Sequence, residues 1–205
     1  MSAWKTVIKD AEKLLTWAAE LNPGPWERHS YSVGKAARAI AEASGMDPDR
    51  AYVSGLLHDI GRYEGVRGLH HIYAGYVLLN EKGYKDIAEI CLSHSFPVQD
   101  IGAYSGGNYD CTPGEMSVIT GYLENACYND YDRLIQLCDG LGDAEGVCLL
   151  EKRLVNVVMR YGFNDFTIRK WDALFSIKKY FNERINGNIY DLFYDEIRDV
   201  TFRDA

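Results

Sequence analysis

The chain has 205 residues, enough for one well-cored domain or for one domain with a terminal extension. Its formal charge of 22 − 30 = −8 argues against a nucleic-acid polymer as partner, because such binders carry a basic patch. A small phosphorylated substrate stays open, since bound cations reverse a local field. Five cysteines with no C-x-x-C pair read as reduced thiols of a cytoplasmic protein. No secretory leader pattern and no apolar run of membrane-spanning length is present, so no membrane partner is expected.

Apolar residues at helical spacing predict a first helix over Trp4–Leu21, stopped by Asn22-Pro23-Gly24-Pro25. A second runs from about Trp26 to Ser44, with His29 near its start. Asp47 as N-cap and Pro48 in the first turn open a third, which runs into His58-Asp59. Gly61 reads as its left-handed stop. Ser54 and Gly55, one turn before the pair, leave room for another backbone or an ion. Leu69–Asn80 is a fourth helix with His71 and Gly75 on one face, the glycine opening space beside His71. Tyr84–Ser95 is a fifth, ending at His94.

Pro97–Gly114 is rich in glycine and reads equally as a binding loop or a surface excursion. One helix or a pair then covers Glu115–Leu141, with Asp139 at its end before Gly140 and Gly142. Ala144–Tyr161 and Phe163–Asn186 are further helices, followed by a short aromatic one through Leu192 and Ile197. Strand alternation is nowhere convincing. The expected fold is all-α, a single helical domain.

The chemistry-bearing residues centre on Ser54–Arg62, where His58 and Asp59 end an apolar run. Adjacent helical side chains diverge by about 100°, so the two share an ion only beside the helix end. An imidazole with a carboxylate suits iron, manganese or zinc. The pair alone also fits a solvated helix terminus.

The order His29, His58-Asp59, Asp139 resembles the metal signature of the HD superfamily of helical phosphohydrolases. The similarity runs from about Trp26 to Leu141, which implies an HD-type core over 26–141 and a C-terminal helical extension over 142–205 packed on it. By that resemblance, His29, His58, Asp59 and Asp139 hold one divalent cation. His71-Ile72-Tyr73-Ala74-Gly75 and Cys91-Leu92-Ser93-His94-Ser95 resemble the two further histidines of binuclear members, such as HD-GYP phosphodiesterases and dinucleoside-tetraphosphate hydrolases. His71 is preferred to His70 because it precedes a glycine by four residues, which leaves His70 at the surface or behind the site. His94 also fits a satisfied buried histidine. The Gly-Tyr-Pro triplet of HD-GYP proteins is replaced by Ser95-Phe96-Pro97, and the Glu-Asp pair of guanosine-tetraphosphate hydrolases is missing near the His-Asp motif.

The implied activity is metal-dependent hydrolysis of a small phosphorylated metabolite, a nucleotide by preference, with two ions (iron, manganese or zinc, magnesium being allowed). Asp59 would bridge both ions, and Arg62 would hold a phosphate oxygen. Lys152 and Arg153 are further substrate-binding candidates that read as well as ordinary solvated helix charges, and Arg28 is undecided. A di-iron oxygenase and a non-catalytic metal- and ligand-binding sensor are the rivals. A homodimer is allowed.

Overall fold

Apolar periodicity becomes helix along most of the chain. The computed structural model describes residues 4–202. Among them are ten α-helices and one two-stranded hairpin: α1 (Trp4–Leu21), α2 (Pro25–Ala43), α3 (Pro48–Leu57), α4 (His70–Glu81), α5 (Lys85–Ser93), α6 (Pro113–Asn125), α7 (Asp130–Leu141), β1 (Gly142–Asp143), β2 (Gly146–Val147), α8 (Leu150–Tyr161), α9 (Thr167–Arg184) and α10 (Tyr194–Phe202). The fold is all-α, as the sequence predicts. None of these helices is long and apolar enough to cross a membrane.

The caps expected from sequence form where polar side chains can reach free amides. The Asp47 carboxylate accepts from Asp49 N and Arg50 N at the start of α3. The expected stretch 115–141 is a helix pair because reciprocal capping boxes, Thr112/Glu115 and Asn129/Asp132, start α6 and α7 separately. The helix expected from Ala144 begins only at Leu150. Residues 142–147 form an antiparallel hairpin instead, pairing Gly142 with Val147 and Asp143 with Gly146. Two-residue strands carry no alternation to read.

Three apolar clusters hold the helices. One joins α2 and α7 to the C-terminal helices through Val33, Ile40, Leu134, Leu141, Leu154, Leu174 and Phe181. A second packs α1 and α3 against α4 and α5 through Leu15, Leu56, Leu57, Leu79 and Ile87. The third gathers Leu69, Ile72, Phe96, Tyr104, Ile119 and Leu123 beneath the loop that follows α5.

Small residues let backbones meet. A Cβ on Gly55 would stand 2.8 Å from Gly34 Cα, so α3 lies directly on α2. The space beside Ser54 and Gly55 is therefore taken by a backbone. Gly61 does not stop a helix in the left-handed region. It lies inside a 3-10 turn (Ile60–Glu64), and Gly65, at φ 114°, closes that turn. What Gly61 provides is proximity: its Cβ would fall 1.9 Å from the His71 carbonyl oxygen and 2.4 Å from Gly75 N. Gly75 likewise makes room for Cys91 Sγ and Gly61 N, and not for the His71 ring.

Candidate metal centre and its pocket

Four histidines reach one place from four different elements. His29 comes from α2, His58 from the end of α3, His71 from α4 and His94 from the end of α5, all at least 92 % buried. Helix α3 ends one residue before His58, and Asp59 leaves helical geometry with φ −104° and ψ 13°. That break lets two sequence neighbours aim at a common centre. His94 ends α5 in the same manner.

The ring orientations follow one rule. His58 Nδ1 donates to Gly55 O at 2.7 Å, His94 Nδ1 to Cys91 O at 2.9 Å, and His71 Nδ1 to Gly68 O, each three residues back. His29 Nδ1 lies 3.3 Å from Gly142 O, the first residue of the hairpin. A carbonyl can only accept, so each Nδ1 carries the proton. A ring held this way presents its Nε2 lone pair inward when it is neutral.

Those nitrogens face carboxylates. His29 Nε2 is 3.1 Å and His58 Nε2 3.8 Å from Asp139 Oδ1. His71 Nε2 is 3.0 Å and His94 Nε2 3.5 Å from Asp59 Oδ1, while Asp59 Oδ2 is 4.0 Å from His58 Nε2. Two triads with metal-binding spacing result, His29–His58–Asp59 and Asp59–His71–His94, with Asp59 common to both. His58 Nε2, His71 Nε2 and Asp59 Oδ1 are buried without a well-directed hydrogen bond. Lone pairs facing carboxylate oxygens at such distances repel unless positive charge lies among them. The residues therefore fit divalent cations, with neutral imidazole and carboxylate as a donor set for iron, manganese or zinc.

In the ion-free site the buried histidines and carboxylates shift one another strongly. Burial pushes the His71 imidazolium down to about 4, with the Arg62 charge adding to it, so this ring is a neutral donor at neutral pH. For His58, burial acts downward but the carboxylates of Asp59 and Asp139 outweigh it, and its pKa rises. Burial also opposes ionisation of Asp59, yet Arg62, His71 and His58 hold its carboxyl well below the usual range. Burial opposes ionisation of Asp139 too, yet its closeness to His29 and His58 holds its carboxyl well below the usual range.

A second layer fixes the end of α5. Ser93 Oγ donates to Asp132 Oδ1 at 2.7 Å, and Gln136 Nε2 donates to Ser93 O at 3.0 Å, so α7 clamps the turn that carries His94. On α2, Arg28 Nη2 reaches Glu145 Oε1 at 3.1 Å and ties His29's helix to the hairpin.

The Nε2 cluster lies at a cavity of about 540 Å³. Arg62 and Arg153 line it, as does Arg28. Arg62 also donates through Nε to Asp59 Oδ2 at 2.5 Å. Lys152 does not reach the cavity: its Nζ donates to Val200 O at 2.9 Å. The two residues lie about 100° apart around α8, so only one can face inward. His70 points outward to Glu64, as expected.

Sequence reading missed Trp26, Tyr104, Arg160, Tyr161 and Lys170, all of which line the cavity. The α8 set had a signal, since Arg153, Val157, Arg160 and Tyr161 repeat at helical spacing on one face. Lys170 had none, because its partner Ser105 Oγ, 3.0 Å away, is 65 positions distant. Burial in the pocket wall pushes its ammonium down to about 8 against the Asp139 charge. Of the 97–114 stretch, Tyr104, Ser105 and Gly106 form part of the cavity wall.

No curated protein and no solved structure matches the chain. Among protein-family models, the HD domain matches residues 26–142, more than half of the chain. HD domains are in general metal-dependent hydrolases. The matched stretch contains every one of the converging histidines and aspartates, and the chain belongs to the HD domain family.

Proposed function

We propose that the protein is a cytoplasmic phosphohydrolase that binds two divalent cations and cleaves a phosphate ester or anhydride of a small phosphorylated metabolite, a nucleotide by preference. The observation that carries this reading is the set of four Nδ1-anchored imidazoles converging on Asp59 and Asp139 beside a cavity rich in cations. His29, His58, Asp59 and Asp139 would hold one ion, and Asp59, His71 and His94 the other. Bound there, the ions would lower the pKa of water and offset charge on a phosphoryl group.

The chain's own residues would do the rest. Arg62 spends one N–H on Asp59, and a guanidinium has five, so others are left for a non-bridging phosphate oxygen. Arg153, Arg160 and Lys170 extend positive charge along the wall, a surface suited to more than one phosphate. Trp26, Tyr104 and Tyr161 supply aromatic faces that suit a base. The test is metal content of the purified protein, followed by a panel of phosphate esters and nucleotides with manganese or iron(II). Phosphate release supports the proposal. Oxygen consumption, or tight ligand binding without turnover, would overturn it in favour of an oxygenase or a sensor.

A further inference from the structure

A second set of donors lies outside this centre. His70 from the first turn of α4, Cys111 from the end of the pocket-wall loop, and Glu115 from the first turn of α6 offer ligand atoms all within 4.8 Å of one another. Their orientation is specific. His70 Nε2 lies 2.7 Å from Glu64 Oε2, and since an ionised carboxylate can only accept, Nε2 carries the proton. The other nitrogen, Nδ1, points the opposite way, 3.4 Å from Glu115 Oε2, and offers its lone pair to an ion when it is deprotonated. A carboxylate holding one nitrogen of an imidazole while the other faces a donor cluster is the usual outer support of a metal-binding histidine.

The backbone around the cluster is firmly placed. Both Asp110 oxygens accept backbone amides, Oδ2 from Gly68 N and Oδ1 from His70 N, each at 2.9 Å. Leu69 N donates to Asn108 O at 2.8 Å, and Glu115 Oε2 accepts from Thr112 N at 2.7 Å. All three ligand-bearing segments are thus tied together before any ion binds. Four-coordinate zinc holds nitrogen, oxygen and sulfur at about 2.0–2.3 Å, so its donors stand roughly 3.5 Å apart. The present donor separations, none above 4.8 Å, are close to that spacing.

We infer that His70 Nδ1, Cys111 Sγ and a Glu115 carboxylate oxygen form a separate zinc site. Thiolate with imidazole and carboxylate favours zinc over the harder ions suited to the central site. Three protein ligands leave a fourth position for water. The ion would clasp the wall that carries Tyr104–Gly106 to the start of α4, one residue before His71.

Cobalt(II) separates this site from the centre, because none of the proposed central ligands is a cysteine. Cobalt added to the protein should produce a near-ultraviolet thiolate-to-metal charge-transfer band, which Cys111→Ser abolishes and Cys127→Ser leaves intact. Without any variant, zinc should shield Cys111 and not Cys127 from alkylation by iodoacetamide, read by peptide mass mapping. At roughly ten times its dissociation constant, zinc should slow the Cys111 reaction roughly ten-fold, since only the free thiolate reacts. No band in the wild-type protein, a band that survives Cys111→Ser, or equal Cys111 alkylation with and without zinc would overturn the site. None of these outcomes bears on the central ions.

Discussion

Asp139→Asn keeps the shape of the side chain and removes its negative charge, so it isolates what that charge does. Asp139 caps no helix start, since α7 continues to Leu141 and α8 begins only at Leu150. What Asp139 meets is His29 Nε2 and His58 Nε2. An amide oxygen is a weak donor to a hard cation. Manganese affinity and turnover in Asp139→Asn should each fall by more than about 100-fold, beyond the effect of losing an outer-shell partner, with the helical circular dichroism retained. Full metal and full activity would remove Asp139 from the site. A second substitution counts ions. His94 directs its Nε2 at Asp59 Oδ1, on the His71 side of the centre, so His94→Ala should take bound manganese from two equivalents per chain towards one. A wild-type protein that never exceeds one equivalent would sink the binuclear reading and leave the site around His29 standing.

At the scale of elements, the centre depends on backbones brought closer than side chains permit. Gly61 sets the 3-10 turn after Asp59 against α4, with the His71 carbonyl in the space a Cβ would need. Gly61→Ala must push α4 away from Asp59. We expect a loss of about 3 kcal/mol, the upper end for overpacked interiors, together with loss of one manganese. Urea denaturation and metal analysis check this, and a variant of wild-type stability with two ions would refute the close-packing argument. The helices themselves were legible because long apolar stripes such as Trp4–Leu21 repeat at the helical period over several turns. The His58-Asp59 pair was legible because it is local. Gly61 was misread, since a close approach to α4 is a long-range fact and leaves no local mark. The hairpin whose Gly142 carbonyl orients His29 was illegible for a related reason, as was the Ser93–Asp132–Gln136 clamp behind His94.

For the whole molecule, the net charge of −8 and the character of the cavity point in opposite directions, and the fold reconciles them. Arg153, Arg160 and Lys170 come from α8 and α9, beyond the residues matched by the family, so the C-terminal helices finish a pocket the HD core begins. The apolar cluster shared by α2, α7, α8 and α9 holds them there. The same global packing forces four imidazole lone pairs and two carboxylates together, an arrangement that repels itself until cations enter. Ions that bind this arrangement and not the unfolded chain must stabilise the fold by mass action, about 2.7 kcal/mol per site at a hundred times the dissociation constant. Two such sites contribute about 5 kcal/mol. In a chain of this size each kcal/mol moves the melting temperature by about 2–4 °C, so saturating manganese should raise it by about 10–20 °C over the chelated protein. Calorimetry on the two forms measures this directly. His94→Ala should retain about half of the increment, because one of the two sites survives. A wild-type melting temperature indifferent to manganese would mean that the converging lone pairs are satisfied by protons alone, and the proposed chemistry would fall with the ions.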